Sequence, residues 1–163
     1  MVEMELLGVR VELPANVPIV LLREQGGQGR VLPIYIGGPE ATAIVLAVDK
    51  IETPRPMTHD LMKNILDEIG ATVDKVVVTE LSESTFYAEI HLTLGEKTYR
   101  ISSRPSDAIA LAIRTGTPIF AEEEVLDEAG TTASMIEGED DSEEVVEQFR
   151  EFIERVNPED FAS

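Results

Sequence analysis

The chain has 163 residues, of which 43% are hydrophobic and 28% charged, with no cysteine and a formal net charge of −19. That length and balance fit one soluble globular domain with a modest core. The lack of cysteine excludes disulfides, thiolate metal sites and a cysteine nucleophile. No apolar run approaches the roughly 20 residues that cross a bilayer, so no membrane partner is expected.

The acidity is unevenly placed. Residues 1–120 carry 16 acidic and 11 basic side chains, a net of −5, whereas residues 121–163 carry 16 acidic and 2 basic, a net of −14. An acidic surface repels phosphodiesters at long range and weighs against tight nucleic-acid binding, although it does not reach into a local basic pocket. The same acidity also reads as a solubility device. The N-terminus, Met1-Val2-Glu3-Met4-Glu5, lacks the basic region of a secretory signal, and a cytoplasmic location is the simplest expectation.

Alternation from Met4 to Leu13 predicts a strand, and Pro14-Ala15-Asn16 turns into the apolar run Val17–Leu22. Gly26-Gly27-Gln28-Gly29 supplies a hairpin loop before a third strand over Arg30–Ile36. Pro39-Glu40 then opens a largely apolar helix reaching about Lys50. After a proline-bearing connection, Thr58 is the expected cap of a second helix. Its apolar positions are Leu61, Met62, Ile65, Leu66 and Ile69, and it ends at Gly70.

Strands follow over Thr72–Leu81, Thr85–Leu94 and Lys97–Ser102, the last two joined at Gly95-Glu96. Pro105 starts a helix ending at Gly116, Pro118-Ile119-Phe120 gives a short further strand, and Glu122–Ala129 a short helix. Gly130–Asp141 reads as a linker, and Ser142–Val156 as an amphipathic helix with Val145, Val146, Phe149, Phe152, Ile153 and Val156 on one side. Blocks of strands and helices that do not alternate strictly predict an α+β fold. The expected form is a mostly antiparallel or mixed sheet of about six strands with three or four helices packed on it. The expected division is a domain over 1–129 and an acidic linker with a C-terminal helix over 130–163.

Two stretches carry chemistry at helix starts: Arg55-Pro56-Met57-Thr58-His59-Asp60-Leu61 and Arg104-Pro105-Ser106-Asp107. Free backbone N–H groups and the helix dipole favour an anion there. Glu40, Asp60 and Asp107 all sit in first turns, where a carboxylate contributes about 0.3–1 kcal/mol by position alone. Capping is thus a sufficient structural reading for each of them. His59 is less easily explained that way, because the dipole favours neutral imidazole, the form that a general base or metal ligand needs. Arg55 and Arg104 offer guanidinium forks for phosphate; their structural alternative is an ion pair with Asp60 or Asp107. His91 alternates with Ile90 and Leu92 in a strand and is assigned no role.

Four blocks in order resemble the bifunctional nuclease family. They are Leu32-Pro33-Ile34-Tyr35-Ile36-Gly37 with Glu40-Ala41, then Arg55–Leu61, then Thr85-Phe86-Tyr87-Ala88, and finally Ser103-Arg104-Pro105-Ser106-Asp107-Ala108-Ile109-Ala110-Leu111-Ala112. The resemblance covers roughly residues 3–129 and departs at Ser84, where related sequences commonly have glycine. It implies a compact α+β domain, hydrolysis of DNA and RNA, and self-association into a homo-oligomer. For that chemistry His59 is expected to move the proton, with Asp60 beside it, and Arg55 and Arg104 to hold the phosphate. Glu40, Asp60 and Asp107 are expected to bind one or two divalent cations, Mg²⁺ or Mn²⁺, as hard oxygen ligands do. The whole assignment requires the three helix starts to converge.

Two other readings stand beside it. One is a non-catalytic module whose helix starts bind a small anion or a partner's carboxylates, favoured by an aromatic content of 5% that offers no base-stacking platform. The other is an assembly protein in which Phe149, Phe152, Ile153 and Phe161 dock on a neighbouring subunit.

Overall fold

In the computed structural model the described residues are 1–137. Seven strands and five helices follow one another along them: β1 (Val2–Glu12), β2 (Val17–Glu24), β3 (Val31–Tyr35), α1 (Gly38–Val48), α2 (Thr58–Ile69), β4 (Ala71–Ser82), β5 (Thr85–Leu94), β6 (Lys97–Ser103), α3 (Pro105–Thr115), β7 (Ile119–Ala121), α4 (Glu123–Ala129) and α5 (Ala133–Glu137). The fold is α+β, as the sequence predicts. The amphipathic helix expected over 142–156 lies outside the described residues.

The strands form one mixed sheet in the order β3-β2-β1-β7-β4-β5-β6. Two antiparallel units, β3-β2-β1 and β4-β5-β6, are joined by β7. It runs antiparallel to β1 through Val2↔Ala121 and parallel to β4 through Val76↔Ile119. The sheet therefore has seven strands rather than about six, because a strand of three residues closes the gap between the two units. The helix count also exceeds the expected three or four, since the segment read as a linker contains α5. Thr131, just before it, is bridged to Val31 of β3.

Between β4 and β5 the chain turns through Glu83 and Ser84 with φ of 49° and 62°. Ser84 thus occupies a left-handed position that glycine would adopt without strain.

The core fills the space between the sheet and the helices. Val20, Leu22, Leu32 and Ile34 come from the first unit, Val76 and Val78 from β4, and Ile44, Ile109, Leu111 and Leu126 from the helices. Each such side chain contributes about 1.5–3 kcal/mol on burial. Helix α3 is the most deeply placed, with Pro105, Ser106 and every residue from Ala108 to Ala112 buried. It lies between α1 and α2 and packs against both. The small side chains Ala108, Ala110 and Ala112 of α3 and Ala41 and Ala43 of α1 are all buried, which lets these helices approach closely.

Helix α2 begins one residue earlier than its expected cap implies. Met57 is the capping position and Thr58 the first helical residue, so the carboxylate of Asp60, not the Thr58 hydroxyl, takes the Met57 N–H at 3.0 Å. Met62 and Leu66 pack on the core, whereas Leu61, Ile65 and Ile69 are 52%, 52% and 55% exposed. Gly70 and Gly116, at φ 76° and 64°, end α2 and α3 in the left-handed conformation.

At the far edge of the sheet, Arg30 ties the β2–β3 hairpin to α4. Its guanidinium reaches Glu24 at 3.0 Å, Glu123 at 2.7 Å and Asp127 at 2.9 Å.

Candidate functional site

The three helix starts meet. In the first turn of α3, Asp107 accepts from Arg104 Nε at 2.8 Å through Oδ2, and its Oδ1 lies 2.9 Å from His59 Nε2 in the first turn of α2. Arg104 Nη2 extends the chain to Glu40 Oε1 in the first turn of α1, also at 2.9 Å. The continuous polar line is therefore Glu40–Arg104–Asp107–His59.

Local sequence explains how each member arrives. Pro39 and Pro105 lie in the first turns of α1 and α3, where a missing N–H costs nothing, and so place Glu40 and Asp107 in those turns. Arg104 is held outside α3 by the following proline, in extended backbone at φ −68° and ψ 143°. The Glu40 carboxylate folds back over Gly37, so that a side chain there would displace it.

The His59 side chain is only 7% exposed, that of Asp107 26% and that of Arg104 64%. Burial pulls the Asp107 carboxyl upward, but hydrogen bonds from Arg104 and His59 outweigh it and hold the group below the ordinary aspartate value of 3.8. Asp107 is therefore an ionised acceptor, and His59 Nε2 must carry the shared hydrogen. Nδ1 makes no hydrogen bond among the described residues. The arrangement is an imidazole oriented through Nε2 by a carboxylate. Arg104 uses Nε and Nη2 internally, and its Nη1 makes no hydrogen bond among the described residues.

Two expected members lie elsewhere. Asp60 turns toward α3 and accepts from Arg114 Nε at 2.7 Å, with its second oxygen on the Met57 N–H. Arg55 is exposed in the connection before α2, and its guanidinium makes no ion pair or hydrogen bond among the described residues. The expected cation set Glu40, Asp60 and Asp107 is consequently divided. Arg104 spans the first and third, and Arg114 holds the second. No group of three or more carboxylate or imidazole side chains is gathered to hold a metal ion among the described residues. As arranged, these carboxylates serve guanidinium groups, and a divalent cation would have to displace Arg104 to use Glu40 and Asp107.

A cleft of about 320 Å³ opens beside the Asp60–Arg114 pair, walled also by Leu46, Lys50, Glu52 and Ile113. None of the four members of the polar line borders it, so proximity to His59 rather than concavity marks the site.

The profile of the bifunctional nuclease domain matches residues 20–134, which span α1, α2, α3 and the whole polar line. The chain belongs to the bifunctional nuclease domain family. Among the relatives of this bifunctional nuclease domain is an uncharacterized protein of Mycobacterium tuberculosis. It is 42% identical over 166 residues, an alignment covering 98% of this chain and 97% of the relative. Bifunctional nuclease 2 of Arabidopsis thaliana is 31% identical over 103 residues, which cover 61% of this chain and 31% of the plant protein. Bifunctional nuclease 2 of Oryza sativa subsp. japonica is 30% identical over 115 residues, covering 69% and 35% respectively.

Arg114 is the member that sequence reasoning overlooks. It falls at the end of the run Ala108–Ile113, seven residues after Asp107 and hence on the same face of α3. A charge that continues the buried face of an apolar helix is the signal that identifies it.

Asp60 shares the lowered pKa of Asp107. Burial raises it, and the Arg114 guanidinium and the Met57 N–H more than offset the rise, leaving it below 3.8. A carboxylate depressed in the folded state contributes stability above its unfolded value and loses it as pH falls through the folded one. Denaturant midpoints of the wild type should therefore be level above about pH 5 and decline below it. Asp60→Asn should be less stable at neutral pH and decline less steeply on acidification. An unchanged acid slope would show that the Arg114 pair is not formed in solution.

Proposed function

We propose that the domain hydrolyses phosphodiester bonds in DNA and RNA, with the His59–Asp107 pair as the proton-transferring centre. The observation that carries this reading is the His59 imidazole oriented by Asp107 next to a partly free guanidinium. Membership of the bifunctional nuclease domain family and likeness to the plant bifunctional nucleases support the same chemistry. His59 Nδ1 accepts a proton from water as its oxygen bonds to phosphorus. Asp107 stabilises the imidazolium that results, and Arg104 Nη1 neutralises charge growing on a non-bridging oxygen. The phosphorus–oxygen bond to the sugar then breaks, and the imidazolium returns its proton to the leaving oxygen. Arg55, exposed one turn before α2, is free to hold a neighbouring phosphate of the strand.

The exposed row Leu61, Ile65 and Ile69, spaced four residues apart on α2, supports self-association as a second part of the proposal. A helix face of three adjacent aliphatic side chains is the kind of surface that a second copy of the chain would cover.

Purified wild type and His59→Ala, incubated with DNA and RNA in Mg²⁺, Mn²⁺ or chelator, test the chemistry. Cleavage by the wild type should fall about 10²–10⁴-fold in the variant, the range a positioned proton-transfer group supplies. Equal cleavage by both proteins would assign the activity to another site or a contaminant. No cleavage by either, with saturable binding of inorganic phosphate, would favour an anion-binding module. Loss of cleavage with chelator would require Arg104 to yield its carboxylates to a cation. For the assembly, the solution mass of Ile65→Lys should drop relative to the wild type; an unchanged oligomer would exclude the α2 face as the interface.

A further inference from the structure

Arg114 is only 7% exposed and belongs to no part of the polar line at His59. Its guanidinium nevertheless reaches three helices at once. Nε donates to Asp60 of α2 at 2.7 Å, Nη1 to the Ala110 carbonyl of α3 at 2.8 Å, and Nη2 to the Ala43 carbonyl of α1 at 2.9 Å. These are the three helices whose first turns bring Glu40, His59 and Asp107 together. Asp60 in turn receives the Met57 N–H, closing the turn in which the adjacent His59 sits. The first turn of α2 is thus held from two points on one face of α3, by Asp107 on His59 and by Arg114 on Asp60, about two helical turns apart.

We infer that Arg114 is a positioning residue which, acting through Asp60, sets the His59 imidazole against Asp107. The inference rests on the reading of His59 as the proton-transferring group only for its effect on rate; its geometric content stands without that reading. An ion pair that merely added stability would need one acceptor. A planar fork bonded to one carboxylate and to two carbonyls on separate helices fixes their mutual register, and lysine with its single nitrogen cannot reproduce this.

The test compares wild type with Arg114→Lys, Asp60→Asn and Arg30→Ala. The last perturbs the distant Arg30 cluster and serves as a control for lost stability alone. The readouts are the NMR signal of the hydrogen-bonded His59 Nε2 proton, the denaturation midpoint, and kcat and KM for phosphodiester cleavage. Arg114→Lys and Asp60→Asn should each shift or abolish the His59 signal and lower kcat by about tenfold or more, with KM within about twofold, as small misplacements of a catalytic group do. Arg30→Ala should lower the midpoint and leave the His59 signal in place. If Arg114→Lys does not fold, Asp60→Asn carries the same comparison, since asparagine still offers an oxygen to the Met57 N–H. A His59 signal unchanged in the folded variants would overturn the inference whatever happens to stability. A wild type without cleavage would defeat the proposed function, while the His59 signal would still decide the positioning.

Discussion

The structure depends on the burial of α3 between α1 and α2. Three helices can share one face of the sheet only if the middle one is thin where the others touch it, and the alanines at 108, 110 and 112 provide that. Close packing brings the first turns of all three to one place, and with them three positive dipole ends. Like ends at close range repel, and a first-turn carboxylate on each helix offsets that repulsion. Glu40, Asp60 and Asp107 therefore have a structural duty before any chemical one.

What separates this site from three ordinary helix caps is how the carboxylates are shared. Arg104 is 64% exposed, and exposed ion pairs contribute only about 0–1 kcal/mol, so stability alone accounts poorly for its position between Glu40 and Asp107. Arg114 is the opposite case, a nearly buried guanidinium with its charge matched by Asp60 and two carbonyls. One arginine faces solvent at the site and the other braces it from within. The division also bears on metal binding, because the carboxylates that a cation would need already have guanidinium partners.

Much of this was legible in the sequence. Strand alternation, glycines at hairpins and prolines at helix starts predict the elements nearly in full, since these signals are local. The family resemblance rests on the same blocks that build the polar line. Two things were not legible. The junction through β7 depends on three residues pairing with strands distant in the chain, and no local pattern specifies a partner. The fate of Asp60 was hidden for a related reason. Its spacing from His59 is fixed by the helix, but the guanidinium that claims it comes from Arg114, 54 positions along the chain. Arg55, chosen for its proline neighbour, remains exposed because nothing in a short motif states whether its partner is protein or ligand.

The proposed chemistry requires His59 and Asp107 to act as one unit. A double-mutant cycle on phosphodiester cleavage, comparing His59→Ala, Asp107→Asn and the pair together, measures this directly. If Asp107 works by orienting the imidazole, the double variant should retain about the same residual rate as His59→Ala alone, the non-additivity expected of groups that act together. Losses that multiply would show that the two side chains contribute independently and would contradict the account.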